Sequence, residues 1–213
     1  MGKRIRVVIE EAPKRVFVSA LDWPGWSRSG KTEEQAVEVF LAAAPRYAKA
    51  VARAGMTPAT DGNELEVVER VPGGSGTEFG VPSTIGEADR APVDAAEAAR
   101  LASLVDAAWA EFDAVAAAAP EELRKGPRGG GRDRSKIVEH VNGADHAYAG
   151  EIGLPRDRPK EATALRAAML DVLRAPSDGS PLAGRKWTQR YAARRIAWHA
   201  LDHAWEIEDR TER

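Results

Sequence analysis

The sequence contains no cysteine, which excludes disulfide frameworks, cysteine-ligated zinc, iron–sulfur clusters and cysteine nucleophiles. Aromatic residues make up only 6%, and there are only four histidines. The 31 basic and 33 acidic residues give a formal net charge of −2. This near balance argues against a protein that coats nucleic acid, so we expect no nucleic-acid partner.

Long hydrophobic runs are also missing. The longest apolar runs are alanine-rich, as in Ala114–Ala119, and fall far short of the ~18–20 residues that span a membrane. The basic N-terminus is followed by too few apolar residues for a secretory signal, which needs roughly 7–15. The sequence therefore predicts no membrane partner, no signal peptide and a cytoplasmic location. Apolar residues still amount to 43%, enough for a core.

The chain divides at residues 73–92, which are rich in glycine, proline and serine and have no apolar period. Such a stretch is typical of a linker or a long surface loop. The pattern before it is mostly strand-like, and the pattern after it is helical. We predict an α+β protein, with a small β-β-β-α-β domain over residues 1–72 and an all-α four-helix bundle over residues 93–213.

The first segment begins with two alternating runs, Ile5–Ile9 and Arg15–Leu21, which predict an antiparallel hairpin. A short third strand follows. Thr32, with a glutamine three residues later, then forms a capping box that begins a helix. We expect this helix to continue to Gly55, and the strand pattern to return at Glu64–Val71.

Three features of this segment carry a resemblance: the strand Val16–Leu21, the turn Pro24–Gly25 and the run Gly30–Ala36. Over roughly residues 3–71 the chain resembles the N-terminal domain of HicB-type antitoxins. The resemblance implies a small α/β domain, which in that family is often followed by a DNA-binding domain. Here a helical segment follows, so we expect no binding to operator DNA. Turn and cap chemistry shared by many α/β domains is the other interpretation.

Four helical segments are predicted in the second half. They begin near Asp94, near Asp133 or Ser135, near Glu161 and near Thr188. Each has a capping residue at its start and a recurring apolar face. Helices of these lengths fit a four-helix bundle.

Two of the four histidines, His199 and His203, lie on an apolar stripe of the last helix. The spacing i, i+4 points both imidazoles the same way, so that each can give a nitrogen to one divalent ion. A buried pair that bonds only to its neighbours is the other interpretation. His140 and His146 share an earlier helix and point about 120° apart. His140 lies nearer the apolar face and is the preferred third ligand, and His146 is interpreted as a rim residue.

The segments Lys136–Val141 and Trp198–Glu206 resemble the DinB-like superfamily. Its members are metal-binding four-helix bundles that include thiol-dependent transferases and isomerases. The resemblance implies the ligand set His140, His199 and His203. Because imidazole suits zinc, nickel and iron alike, we expect one of these ions. The resemblance further implies a metal-dependent transferase that uses a thiol. Because the chain has no cysteine, this thiol must be a low-molecular-weight cofactor. The alternative is a non-catalytic binding protein with a HicB-like docking domain. We assign no general acid or base.

Two other features leave alternatives open. Asp202 and Glu206 can orient the imidazole N–H groups, or can form ordinary helix salt bridges with Arg195, Arg210 or nearby cations. The basic connection 124–136 can bind an anion, or can be a solvated loop between helices.

The last helix carries a second apolar stripe, with Trp198 and Trp205 on it. These tryptophans project about 100° away from the histidine stripe. A helix of a monomeric bundle needs only one apolar stripe, so another surface must cover the tryptophans. The candidates are the N-terminal domain and a second subunit, and we predict a homodimer.

Overall fold

The computed structural model describes residues 4–58, 64–126 and 130–211. Within these ranges the protein is mixed α/β, with the sheet in the N-terminal part and the long helices in the C-terminal part. The strands are β1 (Ile5–Ala12), β2 (Arg15–Ala20), β3 (Ser27–Gly30) and β4 (Leu65–Pro72). The α-helices are α1 (Glu33–Ala42), α2 (Ala44–Val51), α3 (Ser75–Glu78), α4 (Ala95–Ala118), α5 (Arg134–Glu151), α6 (Ala162–Leu173) and α7 (Gln189–Thr211).

The four strands form one sheet in the order β3-β2-β1-β4. The predicted hairpin is confirmed: β1 pairs antiparallel with β2, with Val7 opposite Ala20 and Glu11 opposite Val16. β3 pairs antiparallel with β2, and β4 pairs parallel with β1. A parallel neighbour requires a crossover connection, which α1 and α2 supply.

The single helix predicted between Thr32 and Gly55 is wrong in its extent, because the chain forms two helices, α1 and α2, that meet at Ala43. Pro45 lies in the first turn of α2. Proline has no N–H to donate, and its ring clashes with the preceding turn, so α1 cannot continue through it. The order of elements is therefore β-β-β-α-α-β. The predicted cap is confirmed, since the Thr32 hydroxyl accepts a hydrogen bond of 3.3 Å from the backbone N–H of Gln35.

The segment 73–92, for which we predicted a linker or surface loop, is packed against the rest of the chain. It contains α3, and Thr77 and Asp89 are completely buried. The Thr77 hydroxyl donates to the Glu10 carboxylate of β1. Asp89 accepts two hydrogen bonds from Arg194 of α7, at 2.9 and 2.7 Å. The segment thus joins the sheet to the last helix.

The long helices pack in pairs. α4 contacts α7 and α6, and α5 also contacts α7 and α6. One hydrophobic cluster extends from the sheet into these helices, with Val7 and Val18 at one end and Leu104 and Ile207 at the other. No helix in the described ranges is long and apolar enough to cross a membrane.

The tryptophans of α7 are covered by the N-terminal part of the same chain. Trp198 and Trp205 are only 5% and 2% exposed. The Trp198 ring meets Phe17 of β2 edge-on, with 6.2 Å between ring centroids. Arg28 of β3 lies 4.0 Å from the centre of the Trp205 ring. The tryptophans therefore give no reason to expect a second subunit, and the homodimer stays a prediction.

The predicted Pro24–Gly25 turn also lies against α7. Gly25 has φ 95°, and a Cβ at this position would lie 2.8 Å from the Leu201 side chain. Only glycine allows both this backbone conformation and this close approach.

Candidate metal centre

Three histidines from two helices meet where α5 packs against α7. His140 comes from α5, and His199 and His203 come from successive turns of α7. Each histidine offers one ring nitrogen as a ligand atom, and these three nitrogens all lie within 4.8 Å of one another. The ring centroids are 4.6 Å apart for His199 and His203, and 5.1 and 4.9 Å from these two rings to His140.

The separation of His199 and His140 matches that of two ligands on one divalent transition metal. The Nε2 atoms of His199 and His140 are 3.2 Å apart. Two nitrogens that each bind one tetrahedral ion at ~2.0–2.1 Å lie roughly 3.3 Å from each other. His199 and His203 are buried, whereas His140 is exposed. The three imidazoles therefore form one face of a site that is open to solvent beside α5.

Glu206 holds the ring of His203 in place. The Nδ1 atom of His203 lies 2.7 Å from the Glu206 carboxylate, which can only accept, so Nδ1 carries the proton and Nε2 keeps its lone pair. Glu206 also accepts from Arg210 at 3.0 Å, and Arg132 lies 3.9 Å away. The hydrogen bond from His203 and these cations keep the pKa of Glu206 below its usual range. Glu206 thus fulfils both of its predicted roles.

Asp202 forms no hydrogen bond to a histidine of the described residues. Its carboxylate pairs with Arg28 of β3 at 2.9 Å, and Arg28 in turn stacks on Trp205. This ion pair attaches the sheet to α7 next to His203. No local sequence pattern predicts this ion pair, because 174 positions separate the two partners.

Loss of solvent controls the charge of His199 and His140. It lowers the pKa of His199 to about 2, and nearby His203 and Arg195 act in the same direction. Burial also lowers the pKa of His140, again with a contribution from a cation, Arg132. Both imidazoles are therefore neutral at physiological pH, which is the form that binds metals. His199 Nδ1 is buried and has no hydrogen-bond partner within the described part of the chain.

The remaining histidine lies apart from the triad. His146 is half-buried, and its Nε2 atom donates to the backbone carbonyl of Lys160 at 3.2 Å. It therefore takes no part in the group of three, as its position on the helix predicted.

Most charges of the basic connection are neutralised by acids. Lys125 pairs with Asp133, and Arg134 pairs with Glu121 at 2.9 Å. Arg128, at the centre of the connection, lies outside the described residues. Because these cations already have acidic partners, they favour the interpretation of the segment as a solvated connection between helices and not as an anion-binding site.

Comparisons with known proteins give no relative to set beside this geometry. No protein-family model matches the chain, and no curated protein and no solved structure is significantly similar to it.

Proposed function

We propose that the chain holds one divalent transition metal, zinc, nickel or iron, through His140, His199 and His203. The observation that carries the proposal is the approach of three imidazole nitrogens to within 4.8 Å of one another. The mutual packing of α4, α5, α6 and α7 supports a four-helix bundle of the DinB-like type around this centre.

The activity we propose is that of a metal-dependent transferase that uses a low-molecular-weight thiol. When bound, a metal with an open position lowers the pKa of a coordinated water or thiol. The chain itself holds His203 in one orientation through Glu206. It keeps His199 neutral by burial, and it leaves the side of His140 accessible. Because the sequence has no cysteine, the thiol must come from solution.

The alternative is a non-catalytic protein whose HicB-like domain binds a partner through its sheet. One side chain of that sheet, Phe17, already packs on Trp198 within the chain. The contact uses sheet surface that a partner would need, so it favours the metal-dependent activity.

Metal analysis tests the centre directly. We expect about one transition-metal ion per chain in the purified wild-type protein and almost none in His199→Ala. His146→Ala is the matched control and should keep its metal, because His146 bonds only to a backbone carbonyl. Equal metal contents in the wild type and His199→Ala would contradict the assignment.

Thiol binding is tested on the Co²⁺-loaded protein. Addition of 2-mercaptoethanol should change its visible absorption spectrum, because a thiolate ligand alters the electronic transitions of the ion. A spectrum that stays constant up to millimolar thiol would contradict the thiol-dependent activity and would leave the metal centre intact.

A further inference from the structure

One arginine beside the candidate metal centre has no counter-ion among the described residues. Arg195 lies on α7, one turn before His199, and is half-buried. No carboxylate in the described part of the chain pairs with it, and its Nη1 atom is buried without a hydrogen bond. The other arginines of the described α7 all have acidic partners: Arg190 pairs with Glu97, Arg194 with Asp89 and Arg210 with Glu206.

The guanidinium of Arg195 lies near two aromatic rings. It lies 5.1 Å from the ring centre of Tyr148 and 4.8 Å from that of Trp198. The Tyr148 ring also meets the His199 ring edge-on, at 5.5 Å. Side chains four residues apart on a helix have Cβ atoms roughly 5–6 Å from each other. One small molecule can therefore reach both Arg195 and the three histidines.

The inner side of Arg195 offers no room for such a molecule. A cavity of about 10 Å³ lies there, lined by Ser19, Ser27 and Arg195 among others. A volume of this size holds at most one water. A ligand must therefore approach from the solvent side and, because Nη1 is itself buried, must bond to the other guanidinium nitrogens.

We propose that Arg195 binds the carboxylate of a substrate whose reacting group lies at the three-histidine centre. The substrate class is then the small carboxylic acids. This inference rests on the proposed function and deepens it. A guanidinium stays charged at all physiological pH values and presents parallel donors that match the two oxygens of a carboxylate. Its contacts with Tyr148 and Trp198 restrict the position of that fork.

Two physical arguments favour a carboxylate over a phosphate. A half-buried guanidinium without a counter-ion is energetically unfavourable. A single carboxylate, which is planar and carries one negative charge, neutralises it. Arg190 and Arg194, the cations nearest in sequence, are already engaged by Glu97 and Asp89, and Arg132, the other cation near the histidines, lies 3.9 Å from Glu206, so Arg195 is the guanidinium of this region of the described chain without an acidic partner.

The test uses two probes with the same metal-binding end. Succinic acid monohydroxamate carries a free carboxylate at its far end, and succinamide monohydroxamate carries a neutral amide there. The hydroxamate occupies the open metal positions in both. Calorimetric titration of the Co²⁺-loaded protein should show that the wild type binds the carboxylate probe roughly tenfold to hundredfold more tightly, as charge-assisted hydrogen bonds predict.

Arg195→Gln should remove this preference and leave the affinity for the amide probe within about threefold. Arg190→Gln, the same change on the same helix, should keep the full preference. If Arg195→Gln fails to fold, Arg195→Lys replaces it, and the preference should fall severalfold because lysine lacks the planar fork. Metal content and circular dichroism are measured for each variant.

The outcomes separate the two proposals. If the wild type takes up Co²⁺ but does not distinguish the probes, the role of Arg195 is overturned alone. A preference that survives unchanged in the folded Arg195 variant overturns it as well. If the wild type takes up no Co²⁺, the proposed function fails and this inference fails with it.

Discussion

One carboxylate, that of Glu206, sets the orientation of His203 through a hydrogen bond of 2.7 Å to Nδ1. Glu206→Gln keeps an oxygen that can accept this bond but removes the negative charge. We expect the affinity for Zn²⁺ to fall roughly 10–100-fold, as is typical when a partner of a ligating histidine is changed. Competition with a chromophoric chelator measures the effect.

Glu208→Gln is the matched control for this experiment. Glu208 lies on the same helix, but it pairs with Arg46 at 2.7 Å and not with a histidine. Its variant should bind Zn²⁺ like the wild type. If Glu206→Gln and Glu208→Gln show the same affinity, Glu206 has no special role at the centre.

Some side chains of the centre could be predicted from the sequence, and others could not. His199 and His203 stand out because a spacing of four residues places them on one face of a helix. His140 is preferred over His146 because it lies nearer the apolar face of its helix, and the resemblance to a known ligand set implies the same choice. Arg28 could not be found, because its pairing with Asp202 depends on how a strand and a distant helix pack.

At the scale of elements, a buried carboxylate links α4 to α2. The side chain of Glu111 on α4 is 2% exposed and bonds to Lys49 at 2.8 Å and to Arg53 at 2.6 Å. Burial raises the pKa of Glu111, but the bonds to the two cations outweigh it, and the net shift is downward. A carboxylate whose pKa is lowered by folding stabilises the protein above its unfolded pKa of about 4.3. That stabilisation is lost as the pH falls through the folded pKa.

Glu111→Gln should therefore lower the free energy of unfolding by about 1 kcal/mol at pH 7, a modest value because Lys49 and Arg53 are largely exposed. The difference from the wild type should shrink steadily below about pH 4. Urea unfolding at pH 7, 5 and 3 measures it. A difference that is the same at all three pH values would show that the charge of Glu111 does not contribute.

The elements themselves followed local signals closely. Thr32 and Asp94 cap α1 and α4 as predicted, with bonds to the backbone N–H groups three residues later. The break at Pro45 was hidden by the apolar stripe that continues through it. Local chemistry thus predicts where helices begin, whereas the position of the sheet on α7 depends on contacts between distant parts of the chain.

At the scale of the whole molecule, the sheet covers the tryptophans of α7, and this coverage affects whether two chains associate. The homodimer prediction no longer has the tryptophans as its reason, because the same chain covers them; light scattering over a concentration series of the full chain tests it, and only a mass of two chains would support it. A fragment of residues 90–213 lacks Phe17 and Arg28 and would expose Trp198 and Trp205, so it should associate further. A full chain that stays monomeric at every concentration would contradict the dimer.

The same coverage predicts that the sheet and the helices unfold together. Phe17 is 2% exposed and meets Trp198 of α7, and one hydrophobic cluster extends through both parts. Phe17→Ala should lower the free energy of unfolding by about 3 kcal/mol and still give a single transition, coincident by tryptophan fluorescence and circular dichroism. Phe79→Ala is the control, because Phe79 is 88% exposed and its loss should change stability by less than about 0.5 kcal/mol. Two separate transitions in Phe17→Ala would mean that the sheet and the helices are independently stable units.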